Sequence, residues 1–261
     1  MKKPPIINRG YWARVERVWN TLEEFMSAEG QKQIISLGAG YDTTFWVMKD
    51  KFPSEDFNYI EVDFPQVCRK KISVISKNPQ LASKVEVSGQ GEIITPSYKL
   101  LGQDLRDLQS LDHKLQSLVS KELPTLFIAE CVLVYMYPEH SDALLEYSQQ
   151  FPNCGFLAYD IIGPNDAFGR TMLENLDQRG VRLHGIHKYP SLEDHKARYQ
   201  AYFSSVQAFT MLEIYNNCLP STEKSRVEQL EWMDEFEEWN LLLSHYVMVI
   251  ATNGLVNLKF R

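Results

Sequence analysis

The segment QIISLGAGYD at positions 33–42 constrains the fold more than any other part of the chain. A short apolar run enters a glycine-rich turn, and the residues that follow, around 45–49, read as a helix. Glycine at such a turn lets the backbone bend sharply and come close to a ligand. Strand, glycine turn and helix form the opening unit of a parallel α/β sheet, and the next segments repeat the pattern. FNYIEVDF at 57–64 reads as a second strand. A helix over 65–77 follows, with Pro65 in the first turn, where its missing N–H leaves no bond unmade. Short strands are expected at 84–87 and 98–102, and a helix at 108–118. PTLFIAECVLVY at 124–135 is the most apolar run, as a central strand buried on both faces should be. A helix at 138–150 and a strand at 155–162 complete the alternation. Connections of this length are too long for hairpins, so the sheet is expected to be mostly parallel and covered on both faces.

The two ends depart from the repeat. MKKPPIINRG reads as a loose, proline-stiffened lead-in. Tyr11, Val15, Val18, Leu22 and Phe25 then recur in steps of four and three, one face of an amphipathic helix ending near Gly30. Residues 163–203 are polar and mixed, and are expected to form a helical insertion beside the site. A strand at 205–209 and helices at 211–217 and 222–239 follow, the last with a solvated acidic face over 228–238. HYVMVIAT at 245–252 and LVNLKF at 255–260 flank Asn253-Gly254, which reads as an antiparallel hairpin at the sheet edge. The expected architecture is one α/β domain over residues 1–261, Rossmann-like, with these additions.

Composition narrows the function. With 44% hydrophobic and 23% charged residues among 261, the chain can bury a full core, and disorder as its main state is excluded. Lys+Arg total 27 against 34 Asp+Glu, a net charge of -7. That balance argues against a dedicated binder of nucleic acid or anionic membranes, which needs clustered cations. The four cysteines, Cys68, Cys131, Cys154 and Cys218, form no C-x-x-C pair, so reduced thiols are expected rather than a zinc site or disulfide framework. No apolar run approaches the length of a membrane span, and the two N-terminal lysines precede no apolar signal core. A cytoplasmic, monomeric protein without a metal is the expectation.

Several residues carry chemistry. Gly38 and Gly40 make a G-x-G, but the third glycine of a dinucleotide fingerprint is replaced by Thr43, which disfavours a pyrophosphate ligand. A tight turn without ligand is the plainer alternative. Asp63 ends the second strand 23 positions after Gly40, where an acid can chelate a ribose diol. Glu61 lies two residues earlier on the same face, and a helix cap is the structural alternative for Asp63. Asp104 can accept from an adenine amino group while the next backbone N–H donates to the ring; a helix cap is again the alternative. Glu130 is a carboxylate inside an apolar strand, costly unless partnered. It can meet the ammonium of an amino-acid moiety, or a structural cation. A nucleoside joined to an amino acid, with no phosphate cradle, describes S-adenosylmethionine. His184 and His187 lack companions at metal-ligand spacing, and Cys131 reads as a buried packing thiol.

INRGYWARV (7–15), ISLGAGYDTTFW (35–46), YIEVDFP (59–65), GQDLRDL (102–108), PTLFIAECVLVYM (124–136), DAFGRTMLENL (166–176) and DEFEEW (234–239) together resemble the leucine carboxyl methyltransferases. The resemblance spans nearly the whole chain and implies a class I S-adenosylmethionine-dependent methyltransferase fold. It implies methylation of the C-terminal leucine carboxylate of the type 2A protein phosphatase catalytic subunit, with S-adenosylhomocysteine as the second product. Position by position, it puts Arg14 on the cofactor carboxylate, Gly38 on the methionine arm and Asp63 on the ribose. Asp104 and Leu105 fall on the adenine and Glu130 on the amino group. Tyr135 falls beside the transferring methyl and the incoming carboxylate. Two other functions fit the same framework: the methyltransferase of wybutosine-tRNA maturation, and a noncatalytic phosphatase-binding protein. Family members carry a further segment ahead of INRG, with a lysine reaching the cofactor carboxylate. With the sequence starting at MKKPPIINRG, weak cofactor binding and poor turnover are expected. Where relatives read Tyr-Glu-Gln, this chain has Tyr159-Asp160-Ile161, which is expected to alter the substrate pocket.

Overall fold

The computed structural model describes residues 3–54, 56–87 and 91–260. Met1 and Lys2 of the lead-in lie outside the described residues. The chain opens with α1 (Pro5–Met26), β1 (Lys32–Leu37), α2 (Thr44–Lys51), β2 (Phe57–Asp63), α3 (Pro65–Lys77) and the single turn α4 (Pro79–Ala82). The short β3 (Ile93–Ile94), β4 (Tyr98–Gly102), α5 (Leu108–Leu115), β5 (Thr125–Glu130), α6 (Pro138–Ser148) and β6 (Cys154–Ile161) come next. The last third holds α7 (Ala167–Asp177), α8 (Leu192–Gln200), β7 (Ser205–Thr210), α9 (Met211–Asn217), α10 (Ser221–Glu228), α11 (Phe236–Ser244) and β8 (Tyr246–Thr252).

The strands form one sheet in the order β3-β4-β2-β1-β5-β6-β8-β7. The five central strands, β4 to β6, run parallel; β3 at one edge and β8 beside β6 run antiparallel. Every residue of β1 is buried, and alternate side chains enter the cores on opposite faces: Ile34 one side, Ile35 the other. The chain leaves β1 toward β2 and β4, then returns to lay β5 on the opposite flank. That reversal opens a crevice at the carboxyl ends of β1 and β5.

Five expectations change. The helix expected from Tyr11 begins at Pro5, so the lead-in is its first turn rather than loose chain. Its buried face carries Arg9, Ala13, Arg17, Val18, Thr21 and Leu22, whereas Tyr11 and Val15 are exposed. Two guanidinium groups can be buried there because each donates to a backbone carbonyl, Arg9 to Glu231 and Arg17 to Lys259. Residues 84–87 form a turn and loop, and Ile93–Ile94 takes the edge position beside β4. The apolar run at 124–135 is a strand only to Glu130, because Cys131 adopts a left-handed φ of 53°. The helix expected over 222–239 is broken into α10 and α11. Residues 229–235 lie between the two helices, and there the carbonyl of Glu231 accepts from Arg9. Antiparallel pairing at the C-terminal edge is present, but LVNLKF does not supply it. Both edges of β8 are occupied, by β6 and β7, so residues 255–260 run beside the sheet with Val256 and Leu258 buried.

Candidate active site

Two clefts meet at the crevice. One, of about 330 Å³, is lined by Asp63, Phe64, Asp104, Leu105, Val132 and Tyr135 among others; the second, of about 240 Å³, includes Arg14, Asp42 and Glu130. Gly38 lines both. All seven residues singled out from the sequence therefore fall around these two adjoining clefts.

Gly38 follows β1 directly, with φ +65°, and its N–H donates to Val62 O at 2.7 Å. A Cβ there would lie 2.6 Å from Val132 Cγ2, so only glycine fits against Val132 at this position. Asp63 ends β2, and its Oδ2 accepts the N–H of Gly40 at 2.7 Å while Oδ1 accepts that of Phe64. The carboxylate thus ties the glycine turn to the neighbouring strand while keeping lone pairs toward the cleft. It does not cap α3, which has no side-chain cap. Glu61 is not an alternative. It is fully buried, ion-paired to Lys71 and bonded by the Tyr98 hydroxyl at 2.8 Å. Burial nevertheless pushes its carboxyl up to about 7, against the pull of Lys71.

Asp104 is held in the loop after β4 by Arg106, whose Nε lies 2.9 Å from Oδ1 and whose Nη2 lies 2.5 Å from Oδ2. Those hydrogen bonds hold its carboxyl below the usual range. The cap of α5 is Asp107 instead, which removes the structural alternative for Asp104. Leu105 is buried beside it in the wall of the cleft.

Glu130 and Arg14 face each other across the second cleft, Oε2 to Nε at 3.3 Å. The contact lacks hydrogen-bond geometry, so this buried N–H of Arg14 donates to no described group. Burial raises the Glu130 carboxyl, and the Arg14 charge works against that rise. Arg14 also lies over the rings of Tyr11 and Tyr159, each 5.6 Å away. A facing cation and anion with unused hydrogen-bonding capacity suit a ligand that carries one charge of each sign.

Tyr135 sits on a single 3-10 turn, Leu133–Tyr135, and its phenol is raised chiefly by burial. Cys131 also borders the cleft rather than being wholly buried, with its thiol pushed up to about 12 by desolvation. Two features were missed in the sequence. Val132 packs against Gly38, and His184 reaches over from the segment between α7 and α8 to stack on Tyr137 at 4.1 Å. Neither has a sequence signal: each depends on how a loop folds back across the strand ends.

The sequence profile described as "Leucine carboxyl methyltransferase" matches residues 1–149. Leucine carboxyl methyltransferase 1 of Rattus norvegicus is 39% identical over 267 residues, covering 97% of this chain and 79% of that protein. The tRNA wybutosine-synthesizing protein 4 of Homo sapiens is 36% identical over 268 residues, 97% of this chain but 39% of that protein. Among solved structures, a putative methyltransferase from Thermobifida fusca YX aligns with a TM-score of 0.60 at 14% identity, covering 92% of this chain and 81% of that one. Phosphoethanolamine N-methyltransferase 2 of Haemonchus contortus, in complex with S-adenosyl-L-methionine, aligns at 0.51 and 12% identity, covering 91% and 52%. At such identities the solved structures establish the fold alone, that of the class I methyltransferases.

Proposed function

The chain belongs to the leucine carboxyl methyltransferase family, and from that premise we propose a specific reaction and substrate. It transfers the methyl group of S-adenosylmethionine to the C-terminal leucine carboxylate of the type 2A protein phosphatase catalytic subunit. The observation that carries this reading is the facing pair Arg14 and Glu130, in a cleft that shares Gly38 with the one that holds Asp63 and Asp104. The pair suits the carboxylate and ammonium of a methionine moiety. Asp63 suits a ribose diol, and Asp104 with Leu105 an adenine edge. Gly38, which borders both clefts, would lie along the linker between them.

When bound, S-adenosylmethionine supplies an electrophilic methyl on a sulfonium. The acceptor carboxylate, with an ordinary pKa of about 3.5, is already ionised at neutral pH and needs no general base. The protein's part is therefore placement and exclusion of water. Arg14 and Glu130 fix one end of the cofactor and Asp63 its centre. Tyr135, partly buried at the cleft wall, orients the acceptor.

Calorimetric titration with S-adenosylmethionine, followed by methyl transfer to peptides ending in leucine, tests the reading. The free-acid peptide should accept methyl and its C-terminal amide should not. Equal labelling of both would show that a side chain is the acceptor. Transfer to bulk tRNA with none to peptide would favour the function of the tRNA-modifying relative, against which the net charge of -7 argues.

A further inference from the structure

Asp160 is a carboxylate one residue from the carboxyl end of β6, 1% exposed, with no cation bonded to it among the described residues. A buried carboxylate costs several kcal/mol unless its lone pairs are satisfied, so a position concerned only with packing would be apolar. Arg198, the cation that acts on it, is committed elsewhere: its Nε donates to Asp142 at 2.8 Å and its Nη2 to Ser141 at 2.6 Å. The one bond its carboxylate makes among the described residues is through Oδ1, which accepts the backbone N–H of Val134 at 3.3 Å.

That N–H belongs to the 3-10 turn Leu133–Tyr135, whose first amides have no partner inside the turn. Val132, which precedes the turn, supplies no side-chain cap. Asp160 does the capping from another strand. The carbonyl of Val134 is held as well, by the N–H of Gly185 at 2.9 Å. Val134 is thus gripped on one side by the sheet and on the other by the segment after α7. The residues flanking it, Val132, Tyr135, Met136 and Tyr137, form a wall of the larger cleft.

We propose that Asp160 is the positioning residue of the acceptor wall: its carboxyl oxygen fixes the turn that places Tyr135 against the cleft. Its link to turnover rests on the methyl-transfer reading above; its grip on the turn does not. Asp160 lines neither cleft, and the turn it holds borders the larger one together with Asp63 and Asp104, so its loss acts on turnover more than on cofactor affinity.

Asp160→Ala removes the acceptor without overfilling the core, and Asp160→Asn keeps an oxygen for Val134. Amide exchange over 131–137 in the full chain should rise about tenfold or more in the alanine variant. Turnover on a leucine-terminated peptide should fall about tenfold or more, since a small misplacement at a reacting site is costly. S-adenosylmethionine affinity should fall by less than turnover in both variants, because Asp160 itself touches neither cleft. The asparagine variant should keep slow exchange and most of the turnover. Unchanged exchange in a folded alanine variant overturns the proposal. So does an asparagine variant as impaired as alanine, or a parallel loss of cofactor affinity. Should the wild type bind S-adenosylmethionine and label no peptide, the functional reading fails, and the exchange measurement still decides the role of Asp160.

Discussion

Gly38→Ala should damage both fold and site, and by more than the same change at Gly40. Both glycines hold positive φ, +65° and +55°. Left-handed backbone costs a residue with a Cβ about 1–2 kcal/mol. At Gly40 the added carbon meets nothing within 4 Å, so strain is the whole effect. At Gly38 it lands 2.6 Å from Val132 Cγ2 and 3.1 Å from Cγ1. Valine is stiff about χ1 and cannot turn both methyls away, so its backbone must move. Overpacking of that kind adds about 1–3 kcal/mol, for a total of about 2–5 kcal/mol at Gly38. Val132 precedes the turn that carries Tyr135, so the displacement also distorts the cleft wall. Denaturant unfolding reads the stability, and calorimetry reads the affinity for S-adenosylmethionine. Val132→Ala provides the control. With both γ carbons gone, the nearest atom would be Val132 Cβ at 3.5 Å, an ordinary contact. In that background Gly38→Ala should cost only the strain seen at Gly40. Equal losses at the two glycines, or no relief from Val132→Ala, would refute the steric argument.

The other predictions concern charge. Asp63→Ala should weaken S-adenosylmethionine binding by about 1.5–3 kcal/mol through lost hydrogen bonds; unchanged calorimetric affinity would remove Asp63 from the site. Arg14→Ala should weaken binding about ten- to hundredfold, because the proposed charge-assisted contact to the cofactor carboxylate is lost; wild-type affinity would mean that the Arg14–Glu130 pair is structural only. Stability should fall as pH rises from about 4 to about 7, because Asp160 binds its proton more tightly folded than unfolded. Its contribution, about 4 kcal/mol for a shift of about three units, is fully present below the unfolded pKa and lost through the folded one. Urea midpoints against pH should therefore fall less steeply for Asp160→Asn than for wild type. Parallel curves would mean that Asp160 titrates normally.

The central sheet was legible because its signal is local. The runs at 33–37, 57–64, 98–102 and 155–162 are apolar, bounded by turn residues and spaced too widely for hairpins, and each became a strand within a residue of those bounds. The failures fall where a distant partner decides. Residues 255–260 look like a strand, but β8 has no free edge to offer them. The segment between α10 and α11 is held by Arg9, more than two hundred positions away. The same division holds in the site. Gly38, Asp63 and Glu130 stand at strand ends that the pattern locates. The interactions that fix Tyr135, from Asp160 and Gly185, cross between elements and leave no periodicity to read.

Four carboxylates on neighbouring strands show why environment, not sequence position, sorts their roles. Glu61 and Asp63 share a strand, yet Glu61 is consumed by Lys71 and Tyr98 while Asp63 reaches the glycine turn. Glu130 faces Arg14 on α1, and Asp160 holds the turn after β5. Loops that leave the carboxyl ends of parallel strands have no ladder bonds to fix them. Here side-chain carboxylates supply that restraint. Asp63 joins the glycine turn to β2, Glu130 draws α1 toward β5, and Asp160 joins the Tyr135 turn to β6. In the proposed site, two of these joints are also the groups that would meet the cofactor. Truncating Asp63 or Glu130 to alanine therefore removes a ligand contact and loosens a wall at once, and the two effects add to a single measured loss. Asp63→Asn separates them in part, since an amide oxygen still accepts from Gly40 while the negative charge is gone and an NH2 group replaces the oxygen that accepts from Phe64. What it loses in affinity belongs to the charge and to that second acceptor, and what Asp63→Ala loses beyond that belongs to the bond from Gly40 and to the wall.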